Sequence, residues 1–357
     1  MTTSLSLDSR IHAFVELGNV MGQAAESYAL SDSDFINQYT ELNDSLQTAH
    51  NQNPWFTPAN IRFALNEWKE ALSEQAINTW LKDYAPMIQN TESKKIAVIM
   101  AGNIPLVGFH DFMCTLLAGH SFIGKLSSTD KVLLPAIADV LCTIEPIFKQ
   151  KIEFTEGILK EFDAIIATGS NNTARYFEYY FSKYPHIIRK NRNGVAVLNG
   201  NENNEALKKL GIDICSYFGL GCRNISKVFI PEGFSPQKLY SAIEPFNKIL
   251  FEHFKYMNNH SYHRSIYLLN STAFLDNDAF ILKESEQYSS PISVLYYEFY
   301  KEIESLKEKL LQDDEQIQCI ATEAFTSENT VPLGCTQSPG LADYADGIDI
   351  LKFLIEL

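Results

Sequence analysis

The residues most able to do chemistry lie in one ten-residue run, FGLGCRNISK at 218–227. Cys222 sits there between Gly221 and Arg223, on a bend between an apolar helical run and a strand-like one. A buried structural cysteine needs large apolar neighbours and no glycines. Gly219 and Gly221 instead permit close backbone approach, or a positive φ, around the thiol. Such a cysteine is a candidate nucleophile once ionised, and nearby positive charge promotes ionisation. Arg223 and Lys227 are adjacent in sequence, which leaves their direction open. Cys114, Cys142 and Cys215 fall in apolar helical runs and fit the inert, packed role of most cysteines.

Three polar turns offer further groups: AGNIP with Asn103, KLSST with Lys125 and Ser128, and TGSNN with Thr168, Gly169 and Ser170. Each has a plain structural reading. Asn103 can cap a helix beginning after Pro105, and Ser170 or Asn171 can cap NNTARYFEYYF. Lys125 can be one more solvated lysine. Each also has a functional reading. A helix amino end at the carboxyl end of a parallel strand is an anion site suited to pyrophosphate, and a lysine at a strand end meets a ribose or its 2′-phosphate. His186, His260 and His263 are isolated and read as packed or solvated. His and Cys show no metal-ligand spacing, so no metal is expected.

The elements that must position these groups follow from periodicity. Residues 1–90 carry apolar residues at spacings of three and four, a helical N-terminal segment in which Thr57 and Pro58 open one helix. From Lys94 short apolar runs alternate with helices: KKIAVIMAG, SFIGKLS, IEF and FDAIIATGS read as strands. That alternation predicts an α/β fold with a mostly parallel sheet, whose ligands bind at the carboxyl ends of the strands. The three polar turns should line one crevice there. RNGVAVLNG, ISKVFIP, RSIYLLN, AFILKES, ISVLYYEF and IQCIATEAF read as later strands, SPQKLYSAIEPFNKILFEHFKYM as one long helical stretch, and LADYADGIDILKFLIEL as a final helix. The expected bounds are 1–90 helical, 91–200 a first α/β unit, 201–330 a second, and 331–357 a C-terminal segment.

Composition limits the partners. The chain has 357 residues and a formal charge of −15, which argues against nucleic acid. No window approaches the roughly 20 apolar residues of a membrane span, and the first residues lack the form of a secretory signal. Six cysteines without CxxC pairing point to reduced thiols and a cytoplasmic location. No GxGxxG follows a strand, so an ordinary Rossmann dehydrogenase is not expected.

Four segments in order resemble the aldehyde dehydrogenase superfamily: AGNIP (101–105), GKLSSTD (124–130), ATGS (167–170) and FGLGC (218–222). FGLGCRNISKVFIP and SPGLADYADGIDILKFL resemble its long-chain acyl-CoA reductase branch, the fatty-acid reductase of bacterial bioluminescence. The resemblance implies a Rossmann-type dinucleotide-binding domain at 91–200, with the helical segment 1–90 packed on it, an α/β catalytic domain at 201–330, and a C-terminal return and oligomerisation segment at 331–357. It implies Cys222 as nucleophile, with Asn103 and the Cys222 N–H holding the oxyanion. It implies Lys125 and the Thr168–Ser170 turn as the dinucleotide site. Where the superfamily pattern has a ribose-binding glutamate, this chain has Ser128, which favours NADP(H) over NAD(H). Glu286 lies one position out of register with a glutamate that meets the nicotinamide ribose. The resemblance also implies a homo-oligomer and, for this branch, an acyl-activating ligase or transferase partner.

One absence separates two reactions. Aldehyde-oxidising members place a glutamate some three dozen residues before the cysteine, as the base that hydrolyses the acyl-enzyme. Here no acidic residue occurs from Tyr179 to Asn201. Hydrolysis lacks its base, whereas reduction of an acyl group delivered as acyl-CoA, or as another activated acyl donor, needs none. Aldehyde oxidation with another base, or a non-catalytic docking subunit, are the alternatives.

Overall fold

The computed structural model describes residues 5–30, 39–89 and 91–357. They form two compact units, 1–190 with 340–357, and 191–339.

The first unit is built on five parallel strands: β1 (Lys95–Ile99), β2 (Ser121–Lys125), β3 (Ile152–Thr155), β4 (Ala164–Thr168) and β5 (His186–Arg189). Their order is β3-β2-β1-β4-β5. The chain steps outward in one direction through β1, β2 and β3, then returns to step outward on the other side. Loops after β1 and β4 therefore part at the switch point, where open α/β sheets bind ligands. The four residues of β5 carry no strand signal of their own, being short and close to the next strand.

The helical N-terminal segment is present as Leu7–Leu30, Thr40–Gln52, Pro58–Ala71 and Glu74–Leu81. Thr57 caps the third of these as expected, its Oγ1 accepting from the Asn60 N–H at 3.2 Å with Pro58 in the first turn. The segment shares the core of the sheet: Phe14, Leu17 and Met21 are fully buried. The Phe14 ring meets Phe109, Phe112 and Phe148 edge-on at 6.1–6.4 Å.

The tail differs from the single helix that its periodicity predicts, and from a separate segment at 331–357. It forms a 3₁₀ turn at Ala345–Gly347 and a short α-helix at Ile350–Ile355, and residues 340–357 complete the first unit while 331–339 stay with the second. Ile350, Leu351 and Leu354 are buried there. Trp80 Nε1 donates to the Tyr344 hydroxyl at 2.9 Å, and the Tyr84 hydroxyl to Asp349 at 2.6 Å.

The second unit holds seven strands in the order β12-β11-β6-β7-β10-β9-β8. They are β6 (Asn193–Val197), β7 (Ile225–Pro231), β8 (Leu275–Asp276), β9 (Ile281–Glu284), β10 (Val294–Tyr300), β11 (Ile317–Thr322) and β12 (Thr330–Val331). All pairs are parallel except β8 on β9. The division thus falls after residue 190, ten residues earlier than expected, because β6 pairs with β7 and β11.

Two local expectations fail here. RSIYLLN (264–270) is not a strand but the end of the helix Phe254–Leu269. Its β-branched and aromatic residues are overridden by continuation of the helix before it. The long helical stretch is broken into short turns, with Pro245 in one and His253 capping the next helix through Nδ1, which accepts from the Tyr256 N–H.

Candidate active site

In the first unit the carboxyl end of the sheet gathers every residue anticipated for it. Asn103 lies in the loop after β1, Lys125 ends β2, Ser128 lies in the turn that follows, and Thr168, Gly169 and Ser170 end β4 and open the next helix. The helix after Asn103 begins only at Phe109 with Gly108 at its cap, so the capping role for Asn103 is excluded. Ser170 does cap Asn171–Phe181, its Oγ accepting from the Thr173 N–H at 3.3 Å. That leaves the amino end of the helix aimed along the carboxyl end of β4.

The first two loops are packed together by a residue that no sequence motif singles out. Asn53 is buried, and its Nδ2 donates to the Gly102 carbonyl at 3.4 Å and the Thr129 carbonyl at 3.3 Å. Thr129 Oγ1 also donates to Gly102 at 2.8 Å. A Cβ on Gly102 would lie 2.4 Å from Thr129 Oγ1, so glycine is required for this approach. Lys125 Nζ donates to the Gly157 carbonyl at 2.5 Å, which holds the ammonium over the loop after β3. A cation, a helix amino end and the exposed Ser128 thus lie at the same end of this sheet.

In the second unit Cys222 is exposed, in the turn between the 3₁₀ segment Ser216–Gly219 and β7. Cys114 and Cys215 are buried, and burial pushes both thiols up and out of reactive range. No disulfide joins any of the six.

The backbone just before Cys222 is unusual. Tyr217, Phe218 and Gly219 have φ of 51°, 58° and 78°, three left-handed residues in succession. For Tyr217 and Phe218 that costs about 1–2 kcal/mol each, so the surroundings must impose it. Phe218 packs on His253 with ring centroids 4.2 Å apart. Asn224, also buried, does the rest. Its Nδ2 donates to the carbonyls of Ser216 at 2.8 Å and Asp213 at 3.0 Å, and its Oδ1 accepts from the Gly221 N–H at 2.8 Å. One side chain therefore ties the end of the helix Asn204–Cys215 to the turn that presents Cys222. Nothing marks Asn224 in the sequence except its place two residues after the cysteine.

A second clamp holds the same turn from the other side. Asp213, fully buried, accepts from the Gly334 N–H at 2.6 Å and from the Thr336 N–H and hydroxyl at 3.0 and 2.8 Å. Arg223 Nε donates to the Thr336 carbonyl at 2.6 Å. Lys227 is fully buried and committed elsewhere: its Nζ donates to the Glu286 carbonyl at 2.8 Å and pairs with Glu298, over the rings of Phe229 and Tyr288. Glu286 itself is exposed in the loop after β9, and its backbone is what the second unit uses.

The strand beside the cysteine turn carries no carboxylate. Gly194 of β6 pairs with Ile225 of β7, and the next acid along, Glu202, accepts from the N–H groups of Asn199 and Gly200 at 2.6 and 3.0 Å. Among the described residues no group of three His, Cys, Asp or Glu side chains could hold a metal ion. No described helix is long and apolar enough to cross a membrane.

Comparison with solved structures finds the fold among aldehyde dehydrogenases. Aldehyde dehydrogenase 21 from Physcomitrella patens, in complex with the reaction product succinate, matches at 11% identity and a TM-score of 0.61, over 98% of this chain and 87% of that one. KauB from Pseudomonas aeruginosa matches at 13% and 0.62, over 92% and 79%. A Mycobacterium tuberculosis aldehyde dehydrogenase complexed with NAD+ matches at 12% and 0.57, over 88% and 78%. No curated protein matches the chain. The sequence profile of the LuxC acyl-CoA reductases matches residues 8–243, and the chain belongs to that family of oxidoreductases, which reduce an acyl-CoA to the aldehyde.

Proposed function

We propose that the protein works through a covalent thioester on Cys222 and takes its reducing equivalents from NADPH. The observation that carries the first part is the exposed Cys222 on a turn braced from two sides, by Asn224 and by Asp213 with Arg223. The Cys222 thiolate adds to the acyl-CoA thioester carbon, and the carbon–sulfur bond to CoA breaks, releasing CoA, which takes up a proton. Asn103 and the Cys222 N–H are assigned to the oxyanion, the interaction whose loss costs about 3 kcal/mol in comparable acyl transfers. Bound NADPH supplies a hydride to the acyl carbon. The bond from that carbon to Cys222 Sγ then breaks, the aldehyde leaves and the thiolate is restored. Splitting the reaction this way is ordinary covalent catalysis.

Lys125 and the Thr168–Ser170 turn would hold the dinucleotide, with Ser128 leaving room for a 2′-phosphate and Glu286 near the nicotinamide ribose. The neighbour from M. tuberculosis was solved with NAD+, which supports a nicotinamide cofactor on this fold. A long-chain fatty acyl group, a homo-oligomer, an acyl-activating partner enzyme and a cytoplasmic location belong to the same reading. The missing carboxylate on β6 supports acyl reduction over aldehyde oxidation.

The test is intact mass after mixing with a long-chain acyl-CoA in the absence of nicotinamide, beside Cys222→Ala. The expected result is an acyl adduct that the variant lacks and that NADPH clears. No adduct and no released CoA across chain lengths would overturn the thioester route.

A further inference from the structure

We propose that the first unit carries a second small-molecule site, an anion-binding cavity that takes a phosphate group, at the amino-terminal end of its sheet. It is independent of the acyl-transfer reading, since Lys125, Ser128 and the Thr168–Ser170 turn lie at the opposite end of the same strands. The cavity has a volume of about 330 Å³ and is lined by Ser6, Arg10, Thr91, Ser93, His120 and Lys151 among others. His120 immediately precedes β2, Lys151 immediately precedes β3, and Ser93 lies two residues before β1.

Two cations meet here with no carboxylate partner among the described residues. Arg10 is 7% exposed, and its Nη1 and Nε donate to the carbonyls of Leu117 at 2.5 Å and Ser6 at 3.4 Å. Lys151 Nζ donates to Ser93 Oγ at 2.6 Å and the Gly119 carbonyl at 3.4 Å. The mutual cost of the two cations is visible: burial and the charge of Arg10 both lower the Lys151 ammonium. His120 adds no charge. Its Nδ1 accepts from the Lys94 N–H at 3.1 Å and its Nε2 donates to the Leu354 carbonyl at 2.8 Å, which fixes the neutral ring.

A bland account is that both cations cap the carboxyl end of the helix Phe109–Leu117. That end is worth only about half a negative charge, and the amino end of Leu7–Leu30 brings about half a positive charge to the same cavity through Leu7 and Asp8. The one carboxylate on the lining, Asp8, is exposed at the rim. Two positive charges therefore remain largely uncompensated around a space that fits a phosphate or a small phosphomonoester.

The test is thermal denaturation in inorganic phosphate and, separately, in glycerol phosphate, against chloride at equal ionic strength. The expected result is a Tm that rises and saturates with one or both, the two arms telling free phosphate from a phosphomonoester. Lys151→Met should start from a higher Tm, because it removes the repulsion, and lose about tenfold or more in apparent affinity. Lys151→Glu should do the same by giving Arg10 an internal partner. Lys125→Met should keep the response, which separates this cavity from the dinucleotide end. No rise beyond the chloride control, or an equal rise in both Lys151 variants, overturns the proposal.

Discussion

A methyl group added to Gly194 would stand 2.6 Å from the Arg223 carbonyl oxygen, and 2.7 Å from that of Asn224. β6 thus passes so near the cysteine turn that only a hydrogen fits between them. Both obstructing atoms are backbone, so neither can rotate aside. Gly194→Ala must displace either β6 or the turn itself, at about 1–3 kcal/mol for such overpacking. The expected outcome is a lowered Tm together with slower acylation of Cys222, read by intact mass over time. A variant as stable and as quickly acylated as the parent would show that the approach has no role in placing the thiol.

Asn224 permits a sharper test, because two variants predict an order. Asn224→Ala strips buried carbonyls of Asp213 and Ser216 and the Gly221 N–H of their partner. Leaving such groups unsatisfied costs about 1–3 kcal/mol. Asn224→Asp keeps the shape but turns the donor into an acceptor facing two carbonyls, and should be worse. The effect should fall on kcat and on Cys222 acylation, with KM for the nicotinamide unchanged, since Asn224 touches none of the residues proposed to hold the dinucleotide. An Asp variant as active as the parent would remove Asn224 from the account.

How far the sequence carries these conclusions differs between the two units. At the carboxyl end of the first sheet, alternation of strands and helices is enough, because every parallel strand delivers its following turn to the same end. The shared position of Asn103, Lys125, Ser128 and Thr168–Ser170 follows from that alternation alone. The roles of Asn53 and Asn224 do not, since each acts through hydrogen bonds to backbone carbonyls whose positions depend on tertiary packing. The short strand His186–Arg189 and the helical RSIYLLN escape a local reading for the same reason: propensity is weak beside the elements that surround a segment. The tail's return into the first unit rests on contacts such as Tyr84 with Asp349, 265 positions apart, which no local pattern records.

Acid should weaken the first unit through the half-buried His110 and the buried His120. Burial is the largest cause lowering both His110 and His120 from the usual 6.5, and for His120 the charges of Lys151, Lys94 and Arg10 add to it. Their folded pKa values lie below the unfolded ones, so the unfolded chain binds protons first as pH falls. Stability present above pH 6.5 is therefore lost on descent from there toward the folded values. Melting curves between neutral and mildly acidic pH should show Tm falling, and His120→Asn should flatten part of the slope. A Tm that rises over the same interval would contradict the assignment of neutral rings.

The proposed preference for NADPH over NADH rests on Ser128. It is exposed at the carboxyl end of β2, in a turn whose neighbours hold its shape: Ser127 Oγ and Thr129 Oγ1 lie 3.0 Å apart, and Thr129 is tied to Gly102. Substitution at Ser128 should thus leave the scaffold intact. A glutamate there places a carboxylate where a 2′-phosphate would sit, repelling NADPH while offering an acceptor to the free ribose hydroxyls of NADH. A difference of about 1.4 kcal/mol is tenfold, and Ser128→Glu should move the ratio of kcat/KM for NADPH over NADH downward by at least about that factor. Lys125→Met serves as the companion variant, because loss of its cation should weaken both cofactors and NADPH more. If Ser128→Glu leaves the ratio unchanged while the protein remains folded and is acylated normally, the 2′-phosphate is not recognised at this turn, and the preference for NADPH falls with it.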